Sequence, residues 1–205
     1  MTDEPEPILA AQFWPTNASL IADVAALYLD HKVRTLDPTY GRGSWWKEWR
    51  PRKLVKHDLH TLDGVDFRHL PHRAHSFGQI AFDPPYVSVG GRKTSGLPDY
   101  QNRYGMDTSA LSPKGVQSLV DEGLAEMVRL LKPEGILLVK VQDYVSSGKL
   151  QHGTFQTQCT AVALGLKVID RFEHLSKSPR PQPPGREQKH GRRNLSTLFV
   201  MEGPK

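Results

Sequence analysis

Apolar positions along this chain follow two alternating periods. At 17–29 they recur at helical spacing, at Leu20, Ile21, Val24, Ala25, Leu27 and Tyr28, which predicts an amphipathic helix capped by Thr16 or Asn17. Short apolar runs at 32–36, 53–57, 64–67 and 78–82 read as strands, and 44–49 as a short helix stopped by Pro51. A second amphipathic helix is predicted over 113–131, with Leu119, Val120, Leu124, Met127, Val128 and Leu131 on one face. Pro133-Glu134-Gly135 then turns the chain into an apolar, buried strand at 136–141. A further helix at 154–164 has Gly165 as its C-terminal stop and precedes strands at 167–172 and 195–201.

Strands alternating with helices predict an α/β sandwich with a mostly parallel, seven-stranded sheet. The last two strands have no helix between them, so that pair is expected to be antiparallel. Residues 1–12 read as a flexible leader, and 13–205 as a single domain with loop insertions at 87–112 and 176–194. Parallel sheets bind ligands outside the carboxyl ends of their strands. Asp37, Asp58 and Asp83 all fall at such ends.

Composition narrows the classes. The 205 residues are 38% hydrophobic and 24% charged, which fits a globular chain with a real core. No apolar run is long enough to span a bilayer, the start lacks a secretory pattern, and the single cysteine, Cys159, excludes an internal disulfide framework. A cytoplasmic setting is expected. Net charge is +5, and 171–205 holds eight basic residues against three acidic ones, so the excess sits at one end. This points to a polyanionic partner. Lys177, Arg180, Arg186, Lys189, Arg192 and Arg193 lie there among prolines. Arg92, Lys93 and Arg103 alternate with Tyr100 and Tyr104 in the other loop, a mixture suited to phosphates and unstacked bases.

The sharpest motif is Asp83-Pro84-Pro85-Tyr86, directly after an apolar strand. A base or amide amine is a poor nucleophile because its lone pair is delocalised. A site that alkylates it must accept hydrogen bonds from its NH2, and an aspartate carboxylate and a proline carbonyl do so without offering a competing donor. The prolines stiffen the backbone, and Tyr86 offers a flat face for stacking. A second motif, Asp37-Pro38-Thr39-Tyr40-Gly41-Arg42-Gly43, is a glycine-bearing turn after a strand, where backbone can approach a ligand closely. Asp58 follows Asp37 by 21 residues at the end of the next strand, where an acid can meet ribose hydroxyls. Trp45, Trp46 and Trp49 read as packing residues, and Cys159 as a core residue in mid-helix. The histidines lie in loops without converging spacing, so no metal site is expected.

In this order the motifs resemble the S-adenosylmethionine-dependent amino-methyltransferases of nucleic acids, most closely the adenine-N6 and cytosine-N4 DNA enzymes. The resemblance runs from about Phe13 to Met201. It implies the Rossmann-like sandwich of class I methyltransferases, with S-adenosyl-L-methionine as cofactor. Asp83, Pro84, Pro85 and Tyr86 are similar to the catalytic motif in the form most often seen with adenine. By the same likeness Asp37, Pro38, Tyr40, Gly41 and Gly43 form the cofactor loop. Pro15, Thr16 and Asn17 meet the methionine end, Asp58 the ribose, and Asp66 and Phe67 the adenine. The implied reaction is direct in-line transfer of a methyl group to the exocyclic N6 of a flipped adenine in DNA. Transfer to cytosine N4 or to an RNA base, and a non-catalytic nucleic-acid-binding subunit, stand as alternatives. No separate target-recognition domain fits in 205 residues, so target choice would rest on the two loops, a partner subunit or a homodimer.

Overall fold

Thr16 opens the first helix. Its hydroxyl accepts from the Ser19 amide at 3.0 Å, and Ser19 Oγ accepts from the Thr16 amide at 3.2 Å, a reciprocal cap that satisfies two otherwise free donors. The computed structural model describes residues 13–87, 112–176, 187, 189–191 and 193–205. In chain order its elements are helix α1 (Asn17–Tyr28), strand β1 (Thr35–Asp37), a 3-10 turn (Ser44–Trp46) and strands β2 (Leu54–Lys56) and β3 (Phe77–Phe82). Then come helix α2 (Pro113–Leu130), strands β4 (Leu131–Val141), β5 (Tyr144–Ser146) and β6 (Lys149–Gln151), helix α3 (Gly153–Ala163), and strands β7 (Lys167–Leu175) and β8 (Leu195–Glu202).

The main sheet runs β2-β1-β3-β4-β8-β7. Pairs from β2 through β4 are parallel, and β8 is antiparallel to both β4 and β7. The expected antiparallel last strand is thus present, but it is inserted between two strands rather than set at the edge. The sheet has six strands among the described residues, because 64–67 forms no strand. Phe67 turns inward to the core from this irregular segment.

Two apolar faces hold the sheet. On one, α1 and the 3-10 turn pack Leu20, Ile21, Val24, Trp45 and Trp46 against Ala81, Leu138, Leu198 and Val200. On the other, α2 lays Leu119, Val120, Leu124, Met127 and Leu130 against Ile80, Phe82, Leu137, Val139 and Phe199. Side chains alternate along a strand, so neighbours in β3 and β4 serve opposite layers. Gly123 lets α2 come close: a Cβ there would stand 2.4 Å from Phe82 Cζ and 2.8 Å from Phe67 Cε2. The two rings meet edge to face at 5.2 Å. Leu27, expected on the buried face of α1, is 55% exposed: the buried stripe runs through Leu20, Ile21, Val24 and Ala25 to Tyr28, and Leu27 falls at its edge.

Two further corrections concern small features. Cys159 is exposed. Helix α3 buries Gly153, Thr157 and Ala161, and Cys159 lies two residues off that row, on the outer face. The hairpin β5–β6 is not among the expected elements. Its turn residues, Ser147 and Gly148, both have positive φ (51° and 75°), the twist that two-residue hairpins require.

Candidate active site

Parallel strands share one carboxyl edge, so the aspartates that end them converge. A cavity of about 460 Å³ lies there, walled by Asp37–Arg42, Asp58, Phe67, Asp83, Pro85 and, from the α1 side, Thr16, Asn17, Trp45, Lys47 and Glu48. Three separate chain segments that the sequence marks for one ligand therefore meet at a single hollow.

Asp37 is 5% exposed and ends β1. Its Oδ2 accepts from the Trp46 indole at 2.6 Å and its Oδ1 from the Thr39 amide at 3.0 Å. Burial pushes its carboxyl up to about 7, against the lowering effect of those two bonds; the charges of Asp83 and Asp58 add to the rise. Asp37 thus works chiefly as a brace. It ties the 3-10 turn and the loop to the strand end. Of the tryptophans expected to pack, Trp45 and Trp46 are buried and Trp49 is half-buried against them, and Trp46 also orients this carboxyl.

Asp58 follows β2. Oδ2 accepts from the Gly41 amide at 2.8 Å, and Oδ1 from the amides of His60 and Thr61 at 3.0 and 2.8 Å. A carboxylate offers about four acceptor positions. Three are filled by backbone, so Asp58 keeps room for one hydroxyl rather than a pair. Nearby, His57 Nδ1 meets Asp63 Oδ2 at 2.6 Å, and the Nε2 atoms of His57 and His72 lie 2.8 Å apart.

Gly43 has φ +69°, and a Cβ there would stand 2.4 Å from Tyr40 Oη. Only glycine both adopts that backbone and leaves the tyrosine its place on the cavity wall. Gly43 itself does not line the cavity, nor do Pro15, Asp66, Pro84 and Tyr86. Asp66 is engaged by Arg68, whose guanidinium reaches both carboxylate oxygens and whose bonds and charge hold the carboxyl below its ordinary value. Tyr86 shares a narrow recess with Gln117, Val120 and Tyr144, next to the motif but behind the cavity.

Asp83 is where the polarity of the cavity changes. Its amide donates to Thr39 Oγ1 at 2.9 Å, which links the two sequence motifs directly. Its Oδ1 is buried and has no hydrogen-bond partner among the described residues. Asn17 Oδ1, on the same wall, is likewise buried and unpartnered. Unsatisfied buried acceptors are costly to maintain and mark places where a donor is meant to arrive. Burial raises the Asp83 carboxyl above its ordinary value, while the charge of Lys140 and the Trp45 indole pull it back. Lys140 interrupts the run in β4 that reads from sequence as wholly apolar. Thr39, Trp46 and Lys140 are functional neighbours that sequence reasoning does not single out; a hydroxyl in the turn and a lone cation in an apolar strand are the available signals.

Thr39→Val should remove the Oγ1 acceptor and leave the Asp83 amide unsatisfied. Stability should fall by roughly 1–3 kcal/mol, read as a lower thermal midpoint, while Thr39→Ser should hold the native value.

Of the basic residues expected to meet nucleic acid, Lys189 and Arg193 are exposed, and the Arg193 carbonyl accepts from Gln142 Nε2 at 3.3 Å. Arg92, Lys93, Arg103, Lys177, Arg180, Arg186 and Arg192 lie outside the described residues. No helix described is long and apolar enough to cross a membrane.

No family model and no curated protein matches this chain. Solved structures do. The N-methyltransferase NodS from Bradyrhizobium japonicum WM9 aligns at 12% identity with a TM-score of 0.52, over 91% of this chain and 95% of that one. The [4+2]-cyclase SpnF aligns at 14% and 0.53, over 97% and 88%. TTHA0409 of Thermus thermophilus, a candidate DNA modification methylase, aligns at 17% and 0.46, covering 69% of this chain. This chain spans about half the length of TTHA0409 (52%). The chain has the Rossmann-like fold of class I methyltransferases. A cyclase and a methyltransferase on one fold show that the fold leaves the reaction open, so the reaction must be argued from the site.

Proposed function

We propose that this chain is an S-adenosylmethionine-dependent methyltransferase that modifies the exocyclic N6 of adenine in DNA, by direct transfer to a base flipped from the duplex. The observation that carries the reading is the shared cavity: the Asp37–Gly43 loop at one end, and at the other the buried, unpartnered Asp83 Oδ1 of Asp83-Pro84-Pro85-Tyr86. NodS, which shares the fold, is also known in complex with S-adenosyl-L-homocysteine.

The residues present suit such a cofactor. A cavity of about 460 Å³ is in the range of small-molecule sites. Asn17 Oδ1 is an acceptor waiting for a donor such as an α-ammonium group, and Asp58 retains one acceptor position for a ribose hydroxyl. Tyr40 and Phe67 supply flat apolar walls. The carboxyls of Asp37 and Asp58 favour a positively charged ligand at the cofactor end of the cavity. When bound, the cofactor supplies an electrophilic methyl group on a sulfonium.

The chain's own work is to hold and orient the acceptor. Asp83 Oδ1 accepts a hydrogen bond from the amine, and the Pro84 carbonyl is the second acceptor of the motif. Both draw the nitrogen lone pair away from the ring. Tyr86, the last residue of the motif, backs it from the recess beside Gln117, Val120 and Tyr144. Positioning and exclusion of water account for the rate, so no covalent enzyme intermediate is required.

The test is transfer of labelled methyl to unmethylated duplex DNA, single-stranded DNA and total RNA, with digested products read by mass spectrometry. N6-methyladenine from DNA is the expected product. Label only as N4-methylcytosine or only in RNA would replace the substrate while keeping the site. Cofactor binding without label on any nucleic acid would favour a non-catalytic subunit.

A further inference from the structure

Among the described residues one cationic side chain is buried, and it lies beside the proposed acceptor. Lys140 sits in β4 and is 4% exposed. Strands β3 and β4 are parallel and in register through Phe82 and Val139. One step further along each strand puts Asp83 next to Lys140. The Lys140 Nζ lies 5.8 Å from the centre of the Tyr86 ring, so the ammonium neighbours two residues of the motif. It forms no ion pair among the described residues. Carrying an ammonium into a sheet interior costs several kcal/mol unless an opposite charge is near. A methionine or leucine would fill the same place at no such cost.

We propose that Lys140 is a positioning residue of this site: its buried ammonium is the counter-charge that keeps the Asp83 carboxyl ionised, and so purely a hydrogen-bond acceptor, where the substrate amine docks. This rests on the reading of Asp83 as the amine-holding group and deepens it. A protonated carboxyl presents an O–H, which would face the N–H donors of the amine and reverse the polarity of the contact. The surroundings press towards that wrong state. Asp37 from β1 shares the strand edge closely enough for the Asp83 charge to raise its own carboxyl. Burial disfavours ionisation, and the charge of Lys140 is the first influence opposing burial; the Trp45 indole makes no hydrogen bond among the described residues. His174 of β7 cannot take over the role. Burial and the charge of Lys140 both hold its imidazole below its ordinary value, so it stays neutral. Lys140 is in turn pushed down by burial and held up by Asp83, the reciprocal half of one pairing.

The test follows the Asp83 carboxyl by carbon-13 NMR in the full chain without cofactor or nucleic acid, with the resonance assigned by its loss in Asp83→Asn. Lys140→Met should raise the midpoint by about one pH unit or more, and Lys140→Arg should keep it within about 0.3 unit of native. An unshifted midpoint in Lys140→Met overturns the proposal. Should that variant fail to fold, the pairing is read from the other side. In Asp83→Asn the Lys140 side-chain midpoint should fall; no change there overturns the proposal equally. In turnover, the acid limb of the pH profile should move upward in Lys140→Met, with activity recovering at high pH. A uniform loss at every pH would mean a merely structural lysine and sink the idea. The NMR readout does not depend on catalysis. A shifted midpoint in a chain that transfers no methyl group supports the pairing and counts against the methyltransferase reading alone.

Discussion

Asp83→Asn should lower methyl transfer by roughly 10²–10³-fold and leave S-adenosylmethionine affinity nearly unchanged. The substitution keeps the size of the side chain and exchanges one acceptor for an NH2 donor. The native Oδ1 is buried and has no hydrogen-bond partner among the described residues, so the exchange breaks no hydrogen bond there, although Lys140 loses its counter-charge. The motif keeps its anchor, because Thr39 Oγ1 is held by the Asp83 backbone amide and not by the carboxyl. The cofactor end of the cavity, around Asp37–Gly41 and Asp58, has its own hydrogen bonds. The loss should therefore appear in single-turnover rate and not in binding, the pattern of an interaction strengthened only as the reaction proceeds. Turnover within about fivefold of native would remove Asp83 from the reaction.

Much of this site is legible in the sequence because a parallel sheet converts order along the chain into proximity. The aspartate ending β1, and those just beyond β2 and β3, reach one edge whatever the detailed packing. The helices are equally legible, since α1 and α2 each bury one stripe at helical spacing. What escapes is set by tertiary pairing. The run at 64–67 offers Val65 and Phe67 in strand-like alternation but forms no strand, and so short a run cannot report whether a partner strand receives it. Asp66 carries the charge expected of a ligand, yet Arg68 two residues on closes on it. Thr39 bridges to a residue 44 positions away, which no local pattern reveals. Lys140 is hidden by its neighbours: apolar residues on either side of one lysine read as a strand, and the meaning of the lysine appears only when Asp83 lies beside it. Cys159 reads as core from its position in mid-helix, although a helix has two sides and α3 buries the other one.

Acidification from pH 7 towards pH 4 should stabilise the native chain relative to Asp37→Asn. The Asp37 carboxyl stands at about 7 in the folded protein and at its ordinary value of 3.8 when unfolded. Between those values the folded state holds a proton that the unfolded state has released, so stability falls as pH rises through this window. Below about 4 the group is protonated in both states and costs nothing. Above about 7 it is ionised in both, and the full penalty of burying the charge is present, on the order of 4 kcal/mol. Asparagine cannot ionise. It also replaces one acceptor oxygen with an NH2 that faces the Trp46 indole or the Thr39 amide, which adds a destabilisation that does not vary with pH. Denaturant unfolding of both chains from pH 4 to pH 8 separates the two effects. The difference in unfolding free energy should drift steadily in the native chain's disfavour up to about pH 7 and then level off. A constant difference across the range would show that Asp37 stays ionised in the fold. A cation added to the site should act in the opposite sense. Excess S-adenosylmethionine should pull the transition to lower pH, whereas S-adenosylhomocysteine, which lacks the sulfonium charge, should move it less.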